Sequence, residues 1–293
     1  MRTDSTPIGK YQEQFNALFW QSSPYSWPIV GWPSDIEGIT RAEALAFFET
    51  YYAPNNLTAA LVGDFDPEEA MALAERYFGR LPRGTRPPLP PRTREMPQLA
   101  EKRMVAYADT NPQVVIRYHS VPDGHVDEPA LVVLGQLLNG RTGRLYKALV
   151  EEQQVATSAS GGQAGLKFEG MFELQGTAKQ GRKPEEVEQA IYQELERLKT
   201  EPVGDRELQK VKNQNAAGTF RGLRGNFQLM MQLLIRENNR GWETINTDPP
   251  LYEAVTADAI MRVAKRYFTP ETRAVAVYYR KESDTAGTLG GGQ

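Results

Sequence analysis

The sequence predicts an α+β protein built from two related copies of one helix–strand unit. Residues 39–62 read ITRAEALAFFETYYAPNNLTAALV and residues 255–278 read VTADAIMRVAKRYFTPETRAVAVY, and the two segments align without gaps at an offset of 216. The same offset pairs Tyr11 with Phe227 and Leu18 with Leu234. Each copy shows a threonine cap, a helical apolar period, an aromatic end, a proline and an alternating strand.

The first copy begins with a helix whose start is marked by a capping box. Thr40 and Glu43 have the T-x-x-E spacing in which each residue satisfies a free backbone N–H of the helix start. Pro54 ends this helix, because a proline disfavours helical backbone in the residue before it. One helical face is predicted to be buried, and it consists of Leu45, Phe48 and Tyr52.

A strand over residues 57–62 and a second helix complete the first copy. Asp66 and Pro67 predict the start of that helix, with an aspartate cap and a proline at its first position. Gly79 is expected to close it. Its predicted buried stripe consists of Leu73, Ala74, Tyr77 and Phe78.

Six prolines between Pro82 and Pro97 predict a semi-rigid linker over residues 83–97, with a long surface loop as the alternative. We therefore expect residues 1–82 and 98–283 to be two domains, followed by a disordered glycine-rich tail at residues 284–293. Because the second copy begins near residue 98, an offset of 216 places the start of the first copy before Met1. Residues 1–82 are thus expected to be the second half of the first domain.

Residues 98–283 predict a complete α+β domain. Its elements alternate between period-2 segments and helical apolar segments, separated by turn residues. The predicted strands cover residues 114–118, 155–161 and 168–178, and the predicted helices cover residues 128–138, 144–152, 184–199 and a glycine-interrupted region at 205–238. A helix and a strand within residues 256–280 close the domain.

Composition excludes several classes of protein. The chain has 293 residues, a net charge of −3 and no cysteine, which excludes disulfides and thiolate metal sites. No basic run is long enough to indicate nucleic-acid binding, and no apolar run approaches the roughly 20 residues of a membrane span. The first residues, MRTDS, lack the apolar core of a signal peptide.

Several motifs closely resemble bacterial zinc peptidases of the pitrilysin/insulinase/processing-peptidase family. They are FFETYYAPNNLTAALVGDFDPEEA in the first copy and HVDEPALVVLGQLLNGRTGRLYKALVEEQQVATSASGG in the second. The resemblance covers about residues 1–281. It implies two homologous domains, each a mixed, mostly antiparallel sheet with helices packed on one face, the first being incomplete here. It also implies two such units closing around a peptide, with zinc on the first domain.

The resemblance implies a zinc site that this chain lacks. The family motif H-x-x-E-H supplies two histidine ligands and a general base, and a later glutamate is the third ligand. This chain has only His119 and His125, six residues apart with no glutamate between them. They predict a strand end and a loop, with a weak adventitious metal site as the alternative. No cofactor is expected in this chain, and zinc is expected in the full-length protein if an upstream segment carries the motif.

The resemblance also implies an Arg/Tyr pair that acts on the substrate carbonyl in the second domain. The family pattern L-R-E-E-x-G-L-A-Y falls on residues 149–157, LVEEQQVAT, so Val150 and Thr157 occupy the Arg and Tyr positions. Valine has no donor, and threonine is too short to replace a phenol. Arg144 or Tyr146 could substitute. The sequence therefore predicts no catalytic residue in this chain.

Other residues have a structural and a functional interpretation. Trp20, Tyr25, Trp27 and Trp32 favour packing, with a substrate lip as the alternative. The loop at residues 140–143, GRTG, lacks the G-K-[ST] of a phosphate loop, which excludes nucleotide binding. Near residues 218–225 we expect solvated arginines and glycines that permit close helix packing or a helix break; these residues are Gly218, Arg221, Gly222, Arg224 and Gly225.

The functional prediction is a part of a zinc metalloendopeptidase-family subunit that contributes the wall of a peptide-binding chamber. The alternative is a non-catalytic structural or peptide-binding partner subunit of a heterodimeric peptidase, including a module that holds peptides by strand addition. The expected partners are a peptide or protein substrate and a family subunit, in a homo- or hetero-oligomer. This chain alone is expected to be inactive, to expose apolar surface within residues 1–80, and to be periplasmic.

Overall fold

A computed structural model describes residues 5–90 and 92–281. The predicted tail at residues 284–293 lies outside the described residues. The chain forms two compact units. Unit 1 takes in the described residues of Met1–Ser26, Arg94–Val211 and Val255–Gln293, and unit 2 takes in those of Trp27–Thr93 and Lys212–Ala254. The division into domains at residues 83–97 stays a prediction.

Unit 1 is built on a mixed sheet with the strand order β1-β5-β2-β4-β3. β1 runs parallel to β5, whereas β2 is antiparallel to both β4 and β5, and β3 is antiparallel to β4. The strands are β1 Lys102–Ala108, β2 Gln113–Ser120, β3 Ala156–Gly165, β4 Gly170–Ala178 and β5 Arg273–Arg280. The predicted α+β class, with a mostly antiparallel mixed sheet, is confirmed.

Most of the longer helices fall close to the positions predicted from apolar periodicity and caps, whereas α1, α2, α9, α10 and the strand β1 were not predicted. They are α1 Gly9–Phe19, α2 Pro33–Gly38, α3 Arg41–Tyr51, α4 Pro67–Phe78, α5 Glu128–Leu138, α6 Pro184–Thr200, α7 Asp205–Gly222, α8 Asn226–Asn239, α9 Thr244–Thr247, α10 Pro249–Glu253 and α11 Ala257–Tyr267, with a π-helix at Tyr146–Glu152 between α5 and α6. No helix in the described parts of the chain combines the length and hydropathy that crossing a membrane requires.

Helices α5, α6 and α11 cover one face of the unit 1 sheet. Because side chains alternate along a strand, Ile116 of β2 and Leu174 of β4 face these helices, and both are fully buried. Phe268, which follows α11, packs its ring against Tyr118 and Phe172 at centroid distances of 5.1 and 4.9 Å. This layer is the main hydrophobic core of unit 1.

Helix α1 covers part of the opposite face of the same sheet. Phe15 and Phe19, one helical turn apart, are buried against Val115 of β2 and against Ala276 and Tyr278 of β5. A segment expected in the first domain therefore packs on the sheet formed by the second copy. The repeat did not predict this packing, because it indicates where helices and strands form and not which elements they contact.

Part of the predicted linker is tied to unit 1. The carboxylate of Glu95 accepts hydrogen bonds from three consecutive backbone N–H groups, of Gln21, Ser22 and Ser23, at 2.8, 3.0 and 2.9 Å. Burial alone would raise the pKa of Glu95, but these bonds favour the ionised form and lower it. The described residues of 83–97 contain neither helix nor strand, as their prolines predict.

Unit 2 contains helices whose caps follow the sequence but whose apolar faces are not covered. The Thr40–Glu43 capping box is present, and Asp66 caps α4. In α3 and α4, however, most of the side chains predicted to be buried are exposed, namely Leu45, Phe48, Tyr52, Leu73, Tyr77 and Phe78. That prediction is wrong, because a helical period shows which face is apolar but not whether anything packs on it. The apolar surface expected within residues 1–80 is confirmed in these helices.

The predicted strand at residues 57–62 is also wrong. This segment follows the turn Pro54–Asn56 and forms no strand, and Leu57 and Leu61 are exposed. A strand requires the backbone hydrogen bonds of a neighbour, and no described segment pairs with these residues. The sequence of this segment alternates as that of a strand does, but the described residues contain no neighbouring strand that pairs with it.

Candidate functional site at the π-helix and strand β3

The segment on which the sequence analysis places the family's Arg/Tyr pattern, residues 149–157, contains the end of a π-helix and the start of strand β3. The N–H of Gln153 donates to the carbonyl of Ala148 at 2.9 Å, and the N–H of Val155 donates to the carbonyl of Leu149 at 3.0 Å. Gln154, between these two bonds, has a positive φ of 51°. Wide helical turns of this kind are frequent at functional sites.

The predicted alignment places Gln154 at the glycine of the family pattern, and the positive φ of Gln154 is a conformation that glycine adopts freely. The left-handed region costs an L-residue about 1 kcal/mol or more, whereas glycine adopts it freely. We expect Gln154→Gly to raise the free energy of unfolding by about 0.5–1 kcal/mol, measured by urea denaturation. The exposed bond from Lys179 to Gln154, at 3.2 Å, is lost at little cost. Equal or lower stability of the variant would contradict the assignment of strain.

Val150 and Thr157 occupy neighbouring elements. Val150 is half-buried on the π-helix, and Thr157 is exposed on β3, beside the bulge between Ala156 and Ser158. The hydroxyl of Thr157 donates to the carbonyl of Thr177 at 3.4 Å. Neither side chain presents a guanidinium or a phenol. Their assignment to the family's Arg and Tyr positions stays a prediction.

Arg144 is committed to an ion pair and does not stand in for the missing arginine. Its guanidinium donates two hydrogen bonds to the carboxylate of Glu207 on α7, at 2.9 and 2.8 Å. These bonds raise the pKa of Arg144 above its ordinary value. A bidentate pair of this geometry fixes the guanidinium, so Arg144 holds the π-helix region to α7. Tyr146, at the start of the π-helix, is half-buried.

Strand β3 is an edge strand, and Asn139 closes part of its free edge. The side-chain amide of Asn139 donates to the carbonyl of Gly161 at 2.6 Å and accepts from its N–H at 2.8 Å. The backbone groups of Gly161 therefore point away from β4, and by strand alternation those of Ala159 do too. Asn139 thus occupies the outward backbone groups of Gly161, whereas those of Ala159 are left for pairing with another strand. Sequence analysis did not predict this role of Asn139, because its partner lies 22 residues along the chain.

His119 is a packed residue on the α1 side of the sheet. Its ring stacks on Phe19 at 4.1 Å and meets Trp20 edge-on at 5.3 Å, and its Nε2 is buried. Burial lowers the pKa of His119 to about 4, although the negative charge of Glu95 acts in the opposite direction and raises it. His119 was predicted at a strand end, and it lies within β2 next to the last residue of that strand.

The depressed pKa of His119 makes unit 1 sensitive to acid. The unfolded chain binds a proton near pH 6.5 and the folded chain only near pH 4, so stability is complete above pH 6.5 and falls between these values. We expect His119 to account for a loss of about 2 kcal/mol between pH 7 and pH 4.5. Urea unfolding of His119→Phe, which keeps the stack, should show a smaller loss. Identical pH profiles for both proteins would contradict this.

His125 lies in the loop before α5, as predicted. Its Nδ1 accepts the backbone N–H of Asp127 at 3.0 Å. With one histidine stacked in the sheet and the other bonded in this loop, the two do not form a zinc-binding pair. Among the residues described in both units, no three His, Cys, Asp or Glu side chains come together in a way that could hold a metal ion. The donor set of the described chain does not fit zinc.

The aromatic cluster predicted from the sequence is divided between the two units. Trp20 is buried in unit 1, with Tyr25 packed beside it at 5.8 Å. Trp27 and Trp32 belong to unit 2 and are exposed. The packing interpretation therefore holds for the first two residues.

The glycine-rich helical region breaks as predicted between α7 and α8. An added Cβ at Gly222 would lie 2.8 Å from the side-chain nitrogen of Gln232, which shows a close approach of the two segments. Arg221 and Arg224 are exposed. In the GRTG loop, Gly140 has a positive φ of 79°, as expected for a helix stop.

A buried carboxylate joins the start of α5 to α11. Asp127 is 1% exposed and pairs with Arg262 at 2.7 Å and with Arg266 at 3.1 Å, and it accepts the hydroxyl of Tyr267 at 2.7 Å. Burial raises the pKa of Asp127, but these three partners together lower it. Sequence analysis did not predict this cluster, because Arg266 and Tyr267 lie 139 and 140 residues from Asp127.

Comparisons with known proteins agree with this geometry. The sequence profile described as "Peptidase M16 inactive domain" matches residues 38–215. The zinc protease PqqE of Helicobacter pylori is 26% identical over 286 residues, which cover 95% of this chain and 64% of that protein. This chain thus spans less than two thirds of the length of that relative.

Solved structures show the same fold. A protease from Helicobacter pylori superimposes with a TM-score of 0.88 at 24% identity, covering 95% of this chain and 68% of that one. A peptidase M16 inactive domain from Pseudomonas fluorescens gives a TM-score of 0.80 at 18% identity, covering 96% and 67%. At these identities the likeness concerns the fold alone.

Proposed function

This chain belongs to the family of peptidase M16 inactive domains, and we propose that it forms a non-catalytic, peptide-binding wall of a zinc peptidase. The observation that carries the proposal is the segment from the π-helix to β3. This segment combines a wide helical turn with a left-handed residue, and in this proposal Val150 and Thr157 occupy the family's Arg and Tyr positions, where they provide no strong donor. A side chain without a suitable donor does not stabilise charge developing on a substrate carbonyl.

The edge of β3 supports peptide binding without turnover. Its backbone at Ala159 points away from β4 and is available to an extended peptide, whereas Asn139 closes the edge at Gly161. An extended peptide added here would gain main-chain hydrogen bonds without any catalytic side chain. Zinc, in this proposal, belongs to polypeptide outside the described residues, and no step of the reaction is carried out by this chain.

The proposal is tested with a fluorescent peptide that also reports cleavage. We expect the full chain to bind it saturably in an anisotropy titration and to leave it uncleaved. Ala159→Pro removes one outward N–H from the edge and should weaken binding about tenfold. Asn139→Ala opens the edge at Gly161 and should strengthen binding. Chelator-sensitive cleavage by the chain alone, or binding indifferent to both substitutions, would refute the proposal.

A further inference from the structure

An ionisable ring lies at the centre of the contact between the end of α1 and the sheet. The imidazole of His119 on β2 is parallel to the ring of Phe19, with planes 8° apart and centroids 4.1 Å apart, and the ring of Trp20 meets it edge-on at 5.3 Å. Phe19 and Trp20 are 0% and 2% exposed. Neither of them carries a charge, so the contact depends on packing around the imidazole.

The surroundings of His119 fit a neutral imidazole. Its Nε2 is buried, and no group in the described parts of the chain forms a hydrogen bond with that atom. A neutral imidazole has one nitrogen without a proton, whereas an imidazolium has an N–H on both nitrogens. Burying a charged N–H without an acceptor is costly. The stacked ring of Phe19 attracts a cation but provides no acceptor in the plane of the imidazole.

Two cations already lie against the end of α1. Lys102 of β1 donates to the carbonyl of Phe19 at 3.1 Å. Arg117 lies on the same face of β2 as His119, and its guanidinium carbon is 5.9 Å from the centroid of the Phe19 ring. Arg117 is paired with Glu173 of β4 at 2.7 Å. A protonated His119 would therefore be a third cation beside the same helix end.

Glu95, in the segment before β1, provides a negative charge near His119. Its carboxylate also accepts the backbone N–H groups of residues 21–23, and its own N–H donates to Glu169 at 2.9 Å. On β4, the residue opposite His119 is the uncharged Met171. Burial outweighs the attraction of Glu95, and the pKa of His119 is lowered to about 4.

Helix α1 packs on the sheet through a small apolar cluster of its own. Phe15 and Phe19 are buried there with Val115 and Ala276, on the face of the sheet that α5, α6 and α11 leave open. Near the start of α1, the hydroxyl of Tyr11 donates to the carbonyl of Tyr107 at 2.9 Å. An element held by a separate small cluster can open while the rest of the unit stays folded.

We infer that protonation of His119 releases α1 and residues 20–23 from the sheet, while the sheet and the layer of α5, α6 and α11 stay folded. In the released state the imidazole is in water and carries its proton without the cost of burial. The apolar face of the sheet at Val115, Ala276 and Tyr278 is exposed in that state. The device thus makes the covering of this face depend on pH, and it does not depend on peptide binding at β3.

The release is favoured as the pH falls. The pKa of His119 is about 4 in the packed state and has its ordinary value of 6.5 in the released state, so the packed state is fully favoured above pH 6.5 and loses its advantage toward pH 4. Between pH 7 and pH 5 this difference increases the opening equilibrium about 20-fold. Burial raises the pKa of Glu95, but its hydrogen bonds lower it, so Glu95 weakens the packing of α1 only below the ordinary pKa of glutamate.

Hydrogen exchange of the full chain at pH 7 and pH 5 tests the inference. After correction for the intrinsic exchange rates, the protection factors of the amides at residues 13–20 of α1 should fall about 20-fold between the two pH values. At both pH values they should also be about tenfold or more below those of residues 131–138 in α5, because α1 opens without unfolding of the layer on the other face. Both comparisons need only the wild-type chain.

Two variants assign the effect to His119. His119→Phe keeps the stacked ring and takes up no proton, so its α1 protection factors should change by less than about threefold between pH 7 and pH 5. His125→Asn removes the other histidine of the chain and is the matched control, and it should keep the 20-fold fall of the wild type.

Three results would overturn the inference. The first is equal protection of α1 and α5, which would show that α1 leaves the sheet only when unit 1 unfolds. The second is α1 protection in the wild type that does not change between pH 7 and pH 5. The third is a fall in His119→Phe as large as in the wild type, which would assign the pH dependence to another group.

Discussion

Replacing Gly170 by alanine is expected to lower the free energy of unfolding of unit 1 by about 3 kcal/mol. Gly170 begins β4, and an added Cβ would overlap the carbonyl group of Val121 and lie 2.8 Å from its nitrogen. These are backbone atoms after β2, which pairs with β4, so neither side can move without disturbing the sheet. Urea denaturation measures the change directly.

The matched control is another glycine of the same sheet. A Cβ added at Gly162 on β3 meets nothing within 4 Å. Gly162→Ala should therefore change the free energy of unfolding by no more than about 0.5 kcal/mol. A similar loss in both variants would show that strand propensity, and not the contact with Val121, sets the requirement at Gly170.

Removing the carboxylate of Glu188 is the second large effect that we expect. Glu188 on α6 is 3% exposed. Its carboxylate accepts a hydrogen bond from the guanidinium of Arg103 on β1 at 3.0 Å and another from the hydroxyl of Tyr192 at 2.7 Å. Glu188→Ala should lower the free energy of unfolding by about 2 kcal/mol, because it leaves the hydroxyl of Tyr192 without its acceptor and leaves the guanidinium of Arg103 with Glu101 alone.

The pH dependence of the free energy of unfolding tests the stabilising role of the Glu188 carboxylate. Burial raises its pKa, but Arg103 and Tyr192 favour the ionised form and the net shift is downward. The stabilisation is therefore present above the ordinary pKa of glutamate and is lost as the pH falls below it. Glu196→Ala, which breaks an exposed pair with Lys199, should change stability by less than about 0.5 kcal/mol. Equal losses in the two variants would contradict the role of the buried pair.

The sequence predicts local elements well where short-range chemistry determines them. The helix predicted at residues 128–138 is α5, Glu128–Leu138, and the cap at Thr256 is present. The repeat predicts matching boundaries for α3 and α11, which the structure confirms. These features depend on caps, prolines and apolar periods within one segment.

The sequence did not predict contacts between residues that lie far apart in the chain. Residues 57–62 and Phe48 have the pattern of a strand and of a buried helix face, yet both are open, since neither pattern shows what lies opposite. β1 was not predicted, and its short sequence KRMVAYA has apolar residues at neighbouring positions and no clean alternation. Asn139 and Asp127 act through residues far along the chain, so their roles became visible only in the structure.

The most direct measurement of the central claim is elemental analysis of the purified full chain after incubation with zinc and desalting, together with cleavage of a quenched peptide. The account predicts far less than stoichiometric zinc and no cleavage that a chelator suppresses, because the two histidines hold no common site and Val150 and Thr157 provide no Arg/Tyr pair. Stoichiometric zinc with chelator-sensitive cleavage would contradict it and would place a complete peptidase centre within these residues.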